Sequence, residues 1–245
     1  MAKARARSKP TAPRRLPRGR HALTPEQVLA DQRERLLAAV PGGVAERGYE
    51  TMSVADIVKR AAVSRNAFYK NFKDKQECFA VAHEAGHERL FEILALPCEK
   101  GATVEERVEL SLAAALDALA ADPDMARLLF VEAPSSAGEE IALSYHEWLR
   151  HYGTLLRAAA PDAALGMSPA AEIDQVIVGG IASRIASEVL QGATAGLRDL
   201  TPHLVEYVLA FYGSGRLDPR TGTVVALEPE RPAEYEEARR KQAGA

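Results

Sequence analysis

An all-α fold is predicted by three features of this 245-residue chain. Apolar residues recur at three- and four-residue intervals over long stretches, the spacing that lines one face of a helix. Alanine and leucine are abundant, aromatics make up only 6% of the residues, and no run alternates β-branched with polar side chains as a half-buried strand does. Proline or glycine punctuates the stretches, so the helices have readable ends. About nine helices are expected. A three-helix N-terminal unit, 24–73, precedes a helical body, 74–215, with a basic arm at 1–23 and an irregular tail at 216–245.

The arm carries Lys3, Arg5, Arg7, Lys9, Arg14, Arg15, Arg18 and Arg20 with no acid and no apolar period, and is expected to be disordered when free. The first helix begins at Thr24-Pro25-Glu26, a cap followed by proline at the first helical position, and turns Val28, Leu29, Leu36, Leu37 and Val40 inward. Pro41-Gly42-Gly43 is expected to interrupt it, because proline removes a ladder donor and clashes with the preceding turn. The helix either kinks there or resumes briefly as far as Gly48, a C-cap. Residues 53–73 then read as two short helices across a tight turn. Ser53 and Ser64 stand where N-cap oxygens satisfy the first free amides. Val54, Ile57, Val58, Ala61, Ala62, Val63, Ala67, Phe68 and Phe72 supply the apolar faces, opposite Arg65, Asn66, Lys70 and Asn71. This is a helix-turn-helix unit, whose second helix can lie in the major groove of DNA. Further helices are expected at 74–96, stopped by Pro97; at 103–121, opened by a Thr103–Glu106 capping box; and at 124–132, 138–160, 168–191 and 200–212. A last helical piece is expected at Ala233–Lys241.

Charge is unevenly distributed. Residues 1–80 hold 17 Lys and Arg against 8 Asp and Glu, while the remainder holds 14 against 26. A basic head on an acidic body suits a polyanion-binding module whose body avoids the polyanion. The arm supplies most of that excess, as extra phosphate contacts or as a solubilising tail. Cys78 and Cys98 are far apart and form no CxxC pair, as a reducing compartment permits. No apolar run has the length of a membrane span and no secretion signal follows the basic N-terminus, so a cytoplasmic, nucleoid-associated protein with no membrane partner is expected.

One motif points to a different class. His83-Glu84-Ala85-Gly86-His87 is a formal HExxH sequence, in which two imidazoles share a helix face and the glutamate can act as general base in zinc hydrolases. A third ligand and a substrate cleft are not signalled. His83 and His87 are therefore read as plain helix residues, one facing solvent and one the boundary with the head, with metal sensing and a zinc metallohydrolase as alternatives. No metal, cofactor or enzymatic activity is expected.

The elements Ala45-Glu46-Arg47-Gly48-Tyr49, Ser53-Val54-x-Asp56-Ile57, Ala62-Val63-Ser64, Phe68-Tyr69-x-x-Phe72 and Lys75 occur in order over about 48 residues, and the segment resembles the N-terminal domain of the tetracycline-repressor (TetR) family of bacterial transcription regulators. The resemblance implies that Arg65, Asn66 and Ala67 meet base edges, that Tyr69 and Asn71 meet phosphates, and that Lys75 and Ser53 anchor phosphates at helix starts, with Ser64 and Lys70 beside them on the recognition helix. Arginine can fork onto guanine and asparagine onto adenine, in agreement. The family usually has glycine where Ala62 stands, at a turn position that often needs a left-handed conformation. An uninterrupted helix in the family pattern is here replaced by Pro41-Gly42-Gly43.

The body is expected to set the spacing of two heads and to sense a small molecule. Ile173, Val176, Ile177, Gly180, Ile181, Arg184 and Ile185 follow one helical stripe and Leu200, Leu204, Val208 and Phe211 another; the resemblance implies a four-helix homodimer interface, hence a palindromic operator in double-stranded DNA. The alternative is an internal core pair. Tyr145, His146, Trp148, His151 and Tyr152, with Phe91, Met125, Leu128, Leu129 and Phe130, are the candidate pocket lining, suited to a flat or apolar effector with a few polar groups. Effector binding is expected to move helix 74–96, which carries the head through Lys75 and Phe79, and so to release a repressor from DNA. An activator, or a regulator without a small-molecule signal, is the alternative.

Overall fold

A computed structural model describes residues 24–98, 100–136, 138–159, 171–212, 215–217 and 224–226. The basic arm, residues 1–23, and the expected helical piece at Ala233–Lys241 lie outside them.

Helix α1, Pro25–Thr51, opens with a reciprocal cap: Thr24 Oγ1 accepts from the Gln27 N–H at 3.2 Å and Gln27 Oε1 accepts from the Thr24 N–H at 2.9 Å. It does not break at Pro41, contrary to expectation. Leu36, Ala39, Val40, Pro41, Gly42, Gly43 and Val44 are all buried, so packing on the inner face outweighs the lost ladder bond. The glycines are there for close approach: a Cβ on Gly42 would lie 2.6 Å from Arg60 Nη1, and one on Gly43 would lie 2.7 Å from Met52 Sδ. The departure from helical geometry comes at Gly48, φ 72°, where a residue without Cβ reaches positive φ at no steric cost.

Helices α2, Val54–Ala61, and α3, Arg65–Asn71, complete the head. Ser53 and Asp56 cap α2 reciprocally and Ser64 Oγ accepts from the Ala67 N–H at 3.1 Å. Between them Ala62 does adopt the left-handed conformation, φ 52°, ψ 43°, at a steric cost of about 1 kcal/mol. Arg35 of α1 offsets part of it by donating to the Ala61 and Ala62 carbonyls at 2.5 and 2.8 Å. Arg33 donates to the Asn71 carbonyl at 3.1 Å and lies over the Phe72 ring. Ile57, Phe68 and Phe72 form the core of the head with Leu36, Val40 and Val44.

The body begins with α4, Lys75–Cys98, and α5, Val104–Ala121, which pack together. Thr103 and Glu106 form the expected capping box. Helix α6 is composite: Pro123–Arg127, a π-helical turn at Leu128–Glu132, and Ala133–Ser136. Helices α7, Glu139–Ala159, and α8, Ala171–Leu190, follow; a 3-10 segment, Thr194–Leu200, leads into α9, Thr201–Tyr212. Counted this way the described residues hold nine helices. Buried Asp174 ties three of them, pairing with Arg157 of α7 and accepting from the Tyr212 hydroxyl of α9. The tail, expected to be irregular, contains a short antiparallel pair, β1 Gly215–Leu217 and β2 Val224–Ala226, with Arg216 opposite Val225.

Candidate nucleic-acid interface and effector cavity

On α3, Arg65, Asn66, Tyr69 and Lys70 are exposed, as a reading face requires. Arg65 leans on Tyr69, its guanidinium 5.7 Å from the ring centroid, which orients both from one helix face. Ser53 and Ser64 are exposed with their oxygens engaged as caps. Three expected contact residues are placed otherwise. Ala67 is 6% exposed and its methyl faces the core. The Asn71 amide is folded back, donating to the Ala67 carbonyl at 2.8 Å. Lys75 Nζ donates to the Tyr49 carbonyl at 2.7 Å and the Glu50 carbonyl at 3.3 Å, and sits 4.2 Å above the Tyr49 ring. Its cation joins head to body through two of its three donors.

In the body, α4, α5, α7 and α8 enclose a cavity of about 100 Å³. Leu90 and Leu94 of α4 line it, with a stripe from α5 (Val108, Leu112, Ala115, Leu116, Leu119), Phe130 from the π turn, and Leu149, Leu156, Val178 and Ile185. Arg107, Ser111 and Tyr152 are its only polar side chains. Of the ten residues expected to line a pocket, Tyr152 and Phe130 line this space. Met125 and Leu129 line a separate groove between α1, α4 and α5. Phe91, Tyr145 and Trp148 pack as an aromatic cluster around His87, and His151 is exposed. Aromatic content drew attention to α7, whereas the wall is mainly the aliphatic face of α5. The available signal was Arg107 and Ser111, four residues apart on an otherwise apolar stripe.

The HEAGH histidines are both buried, at 1% and 0% exposure, and neither faces solvent or the head as expected. His87 Nδ1 shares a 2.6 Å hydrogen bond with the Tyr152 hydroxyl, and its ring stacks on Trp148 at 13° between planes. Burial disfavours the imidazolium, bringing His83 down to about 4 and His87 well below its ordinary range. Glu84 points elsewhere, accepting from Trp148 Nε1 at 3.0 Å. Among the described residues no three His, Cys, Asp or Glu side chains gather where they could hold a metal. The motif is a core element carrying a neutral histidine pair. Nε2 of each has no hydrogen-bond partner.

Residues 44–82 match the sequence model of the family described as bacterial regulatory proteins, tetR family. Over these residues the head is similar to that family. The fold as a whole is shared with solved transcription regulators. The regulator FadR from Bacillus subtilis, solved in complex with stearoyl-CoA, is 19% identical with a TM-score of 0.65, over 72% of this chain and 97% of that one. The fatty acid degradation regulator FadR from Bacillus halodurans is 21% identical with a TM-score of 0.64, over 75% and 99%. A regulator from Rhodococcus sp. Rha1 is 22% identical with a TM-score of 0.56, over 72% and 95%. No curated protein matches. Among the described residues no helix is long and apolar enough to cross a membrane.

The tetR-type head is fastened to the body at two points around Tyr49. Its carbonyl is held by Lys75 of α4; its N–H donates to Oε2 of Glu132 at 3.0 Å. Glu132 is 5% exposed, ends the π turn of α6, and is neutralised by Arg127 at 3.0 Å. Tyr49 also packs edge-on against Phe79 of α4, with centroids 4.7 Å apart. On the other side of α4, Gly86 admits α6, since a Cβ there would lie 2.8 Å from Met125 Sδ.

The expected dimer stripe divides in two. Ile173, Val176, Gly180, Arg184 and Phe211 are exposed. Ile177, Leu204 and Val208 are buried within the chain itself and offer no surface, and Ile181 faces the cavity. Gly180 accommodates α9 of the same chain, since a Cβ would lie 2.6 Å from the Tyr207 hydroxyl.

Proposed function

We propose that this protein is a ligand-responsive transcriptional repressor that binds a palindromic operator as a homodimer and is released when an apolar small molecule enters the body cavity. One observation carries the reading. The tetR-type head, with Arg65, Asn66, Tyr69 and Lys70 outward, is bolted to an α4 whose Leu90 and Leu94 line an apolar cavity. The stearoyl-CoA bound by the B. subtilis regulator of the same fold supports an acyl-type effector. The exposed stripe of Ile173, Val176, Gly180 and Arg184 supports pairing through α8.

The signal travels by two short routes. A ligand displacing Leu90 and Leu94 shifts α4 and with it Lys75; a ligand pressing Phe130 shifts the π turn and with it Glu132. Both grips close on Tyr49, so its position reports the cavity to the recognition helix. The ligand needs only a higher affinity for the released state. The test is a gel-shift titration of purified protein on its own upstream DNA, with and without stearoyl-CoA. Arg65→Ala is expected to weaken operator binding about tenfold or more, with the dimer intact. Unchanged operator affinity in that variant refutes the assignment of α3.

A further inference from the structure

The cavity wall is apolar except for one turn of α5. Arg107 and Ser111 stand four residues apart there, hence on one face about 6 Å apart. Among the described residues, the serine hydroxyl has no partner and the arginine has no counter-ion. Ser111 Oγ is buried and has no hydrogen-bond partner, although a helical serine can ordinarily bond the carbonyl one turn back. Arg107 spends Nε on the Gly101 carbonyl at 2.8 Å and Nη1 on the Ala159 carbonyl at 3.3 Å, and no carboxylate among the described residues pairs with it. Its charge stands half-buried at the rim of an apolar space, with no counter-ion among the described residues. The third polar group, the Tyr152 hydroxyl, is already taken by His87.

A buried hydroxyl without a partner beside an uncompensated cation marks a place where a bound polar group would be stabilised. We propose that Arg107 and Ser111 form a polar pole of the effector cavity, and that the effector is a straight-chain amphiphile whose acyl oxygens dock on them while its chain lies along α5. This rests on the reading of the cavity as the effector site and adds the chemistry of its ligand. From Ser111 to Leu119 the apolar stripe runs eight residues, about 12 Å, and Phe130 and Leu90 add to the apolar wall. A chain of medium length fits that distance. Arg107 supplies a forked donor for two oxygens and Ser111 a single donor beside it. The oxygens could belong to a free carboxylate or to an acyl thioester.

Calorimetric titration of the full-length protein tests this, using dodecanoate, dodecanoyl-CoA and 1-dodecanol. The two acyl compounds are expected to differ in affinity, and the tighter one identifies the source of the oxygens. That compound is expected to bind at least about tenfold tighter than the alcohol, the worth of one hydrogen bond to a charged group. In Arg107→Gln that preference is expected to vanish while alcohol binding stays; Ser111→Ala is expected to lose a few-fold and Arg107→Lys to retain part of it. Should Arg107→Gln not fold, the serine and lysine variants carry the comparison. Equal affinity for alcohol and acyl compounds in the wild type, or an unaltered preference in Arg107→Gln and Ser111→Ala, overturns the polar pole and leaves the cavity reading standing. Binding of none of the three overturns both.

Discussion

Head and body treat their buried polar groups in opposite ways. In the head the turn carbonyls of Ala61 and Ala62 are taken by Arg35, the part-buried Asn71 carbonyl by Arg33, and the helix starts by Thr24, Ser53 and Ser64. Among the described residues, the three buried side-chain atoms without a partner, His83 Nε2, His87 Nε2 and Ser111 Oγ, belong to the body, as does the cavity. A satisfied module holds one shape, as a reader of fixed DNA geometry must. A module with unsatisfied groups around a void is stabilised by whatever binds there. Under the proposed function, reading falls to one region and sensing to the other, with Tyr49 between them.

The contrast is broken most forcefully at the joint. Glu132→Ala removes the acceptor of the Tyr49 N–H and leaves Arg127 without its acid. A loss of about 3 kcal/mol in unfolding free energy is expected, measured by urea titration, together with weaker operator binding. Glu132→Gln keeps an acceptor for Tyr49 and is expected to recover much of the loss. A variant as stable as the wild type with undiminished operator affinity removes Glu132 from the joint.

The neutral histidine pair sharpens the contrast by pH. Unfolded histidine takes a proton near 6.5, whereas His83 in the fold does so only at about 4. The unfolded state therefore gains protons first as pH falls, and stability present above pH 6.5 is lost on the way to 4. At pH 5 the expected loss is about 2 kcal/mol for His83 alone, and His83→Leu should flatten the melting-temperature profile between pH 7 and 5. An unflattened profile places the acid sensitivity elsewhere. The smallest effect belongs to the head. Ala62→Gly removes the left-handed strain and is expected to raise stability by about 0.5–1 kcal/mol, visible as a higher melting temperature with unchanged operator binding.

How much of this was legible in the sequence follows from where each partner sits. Thr24, Ser53, Ser64 and Thr103 could be read as caps because each bonds a backbone amide three residues on. The left-handed turn at Ala62 and the bend at Gly48 are equally local. The helix count and order followed from apolar spacing, which is set one turn at a time. By itself, then, the sequence determined nine helices, the helix-turn-helix and its outward Arg65, Asn66, Tyr69 and Lys70.

Tertiary structure alone decided the rest. It carried α1 through Pro41 by burying both flanks, and set Lys75 on the carbonyl of Tyr49, 26 residues away. It converted HEAGH from a metal signature into core by setting His87 on Tyr152, 65 residues on. It joined Glu132 to Tyr49 across 83 residues and brought α5 and α8 together around Arg107 and Ser111. A periodic pattern says which face of a helix is buried; what that face meets depends on packing between helices far apart in the chain, where many partners satisfy the same apolar stripe.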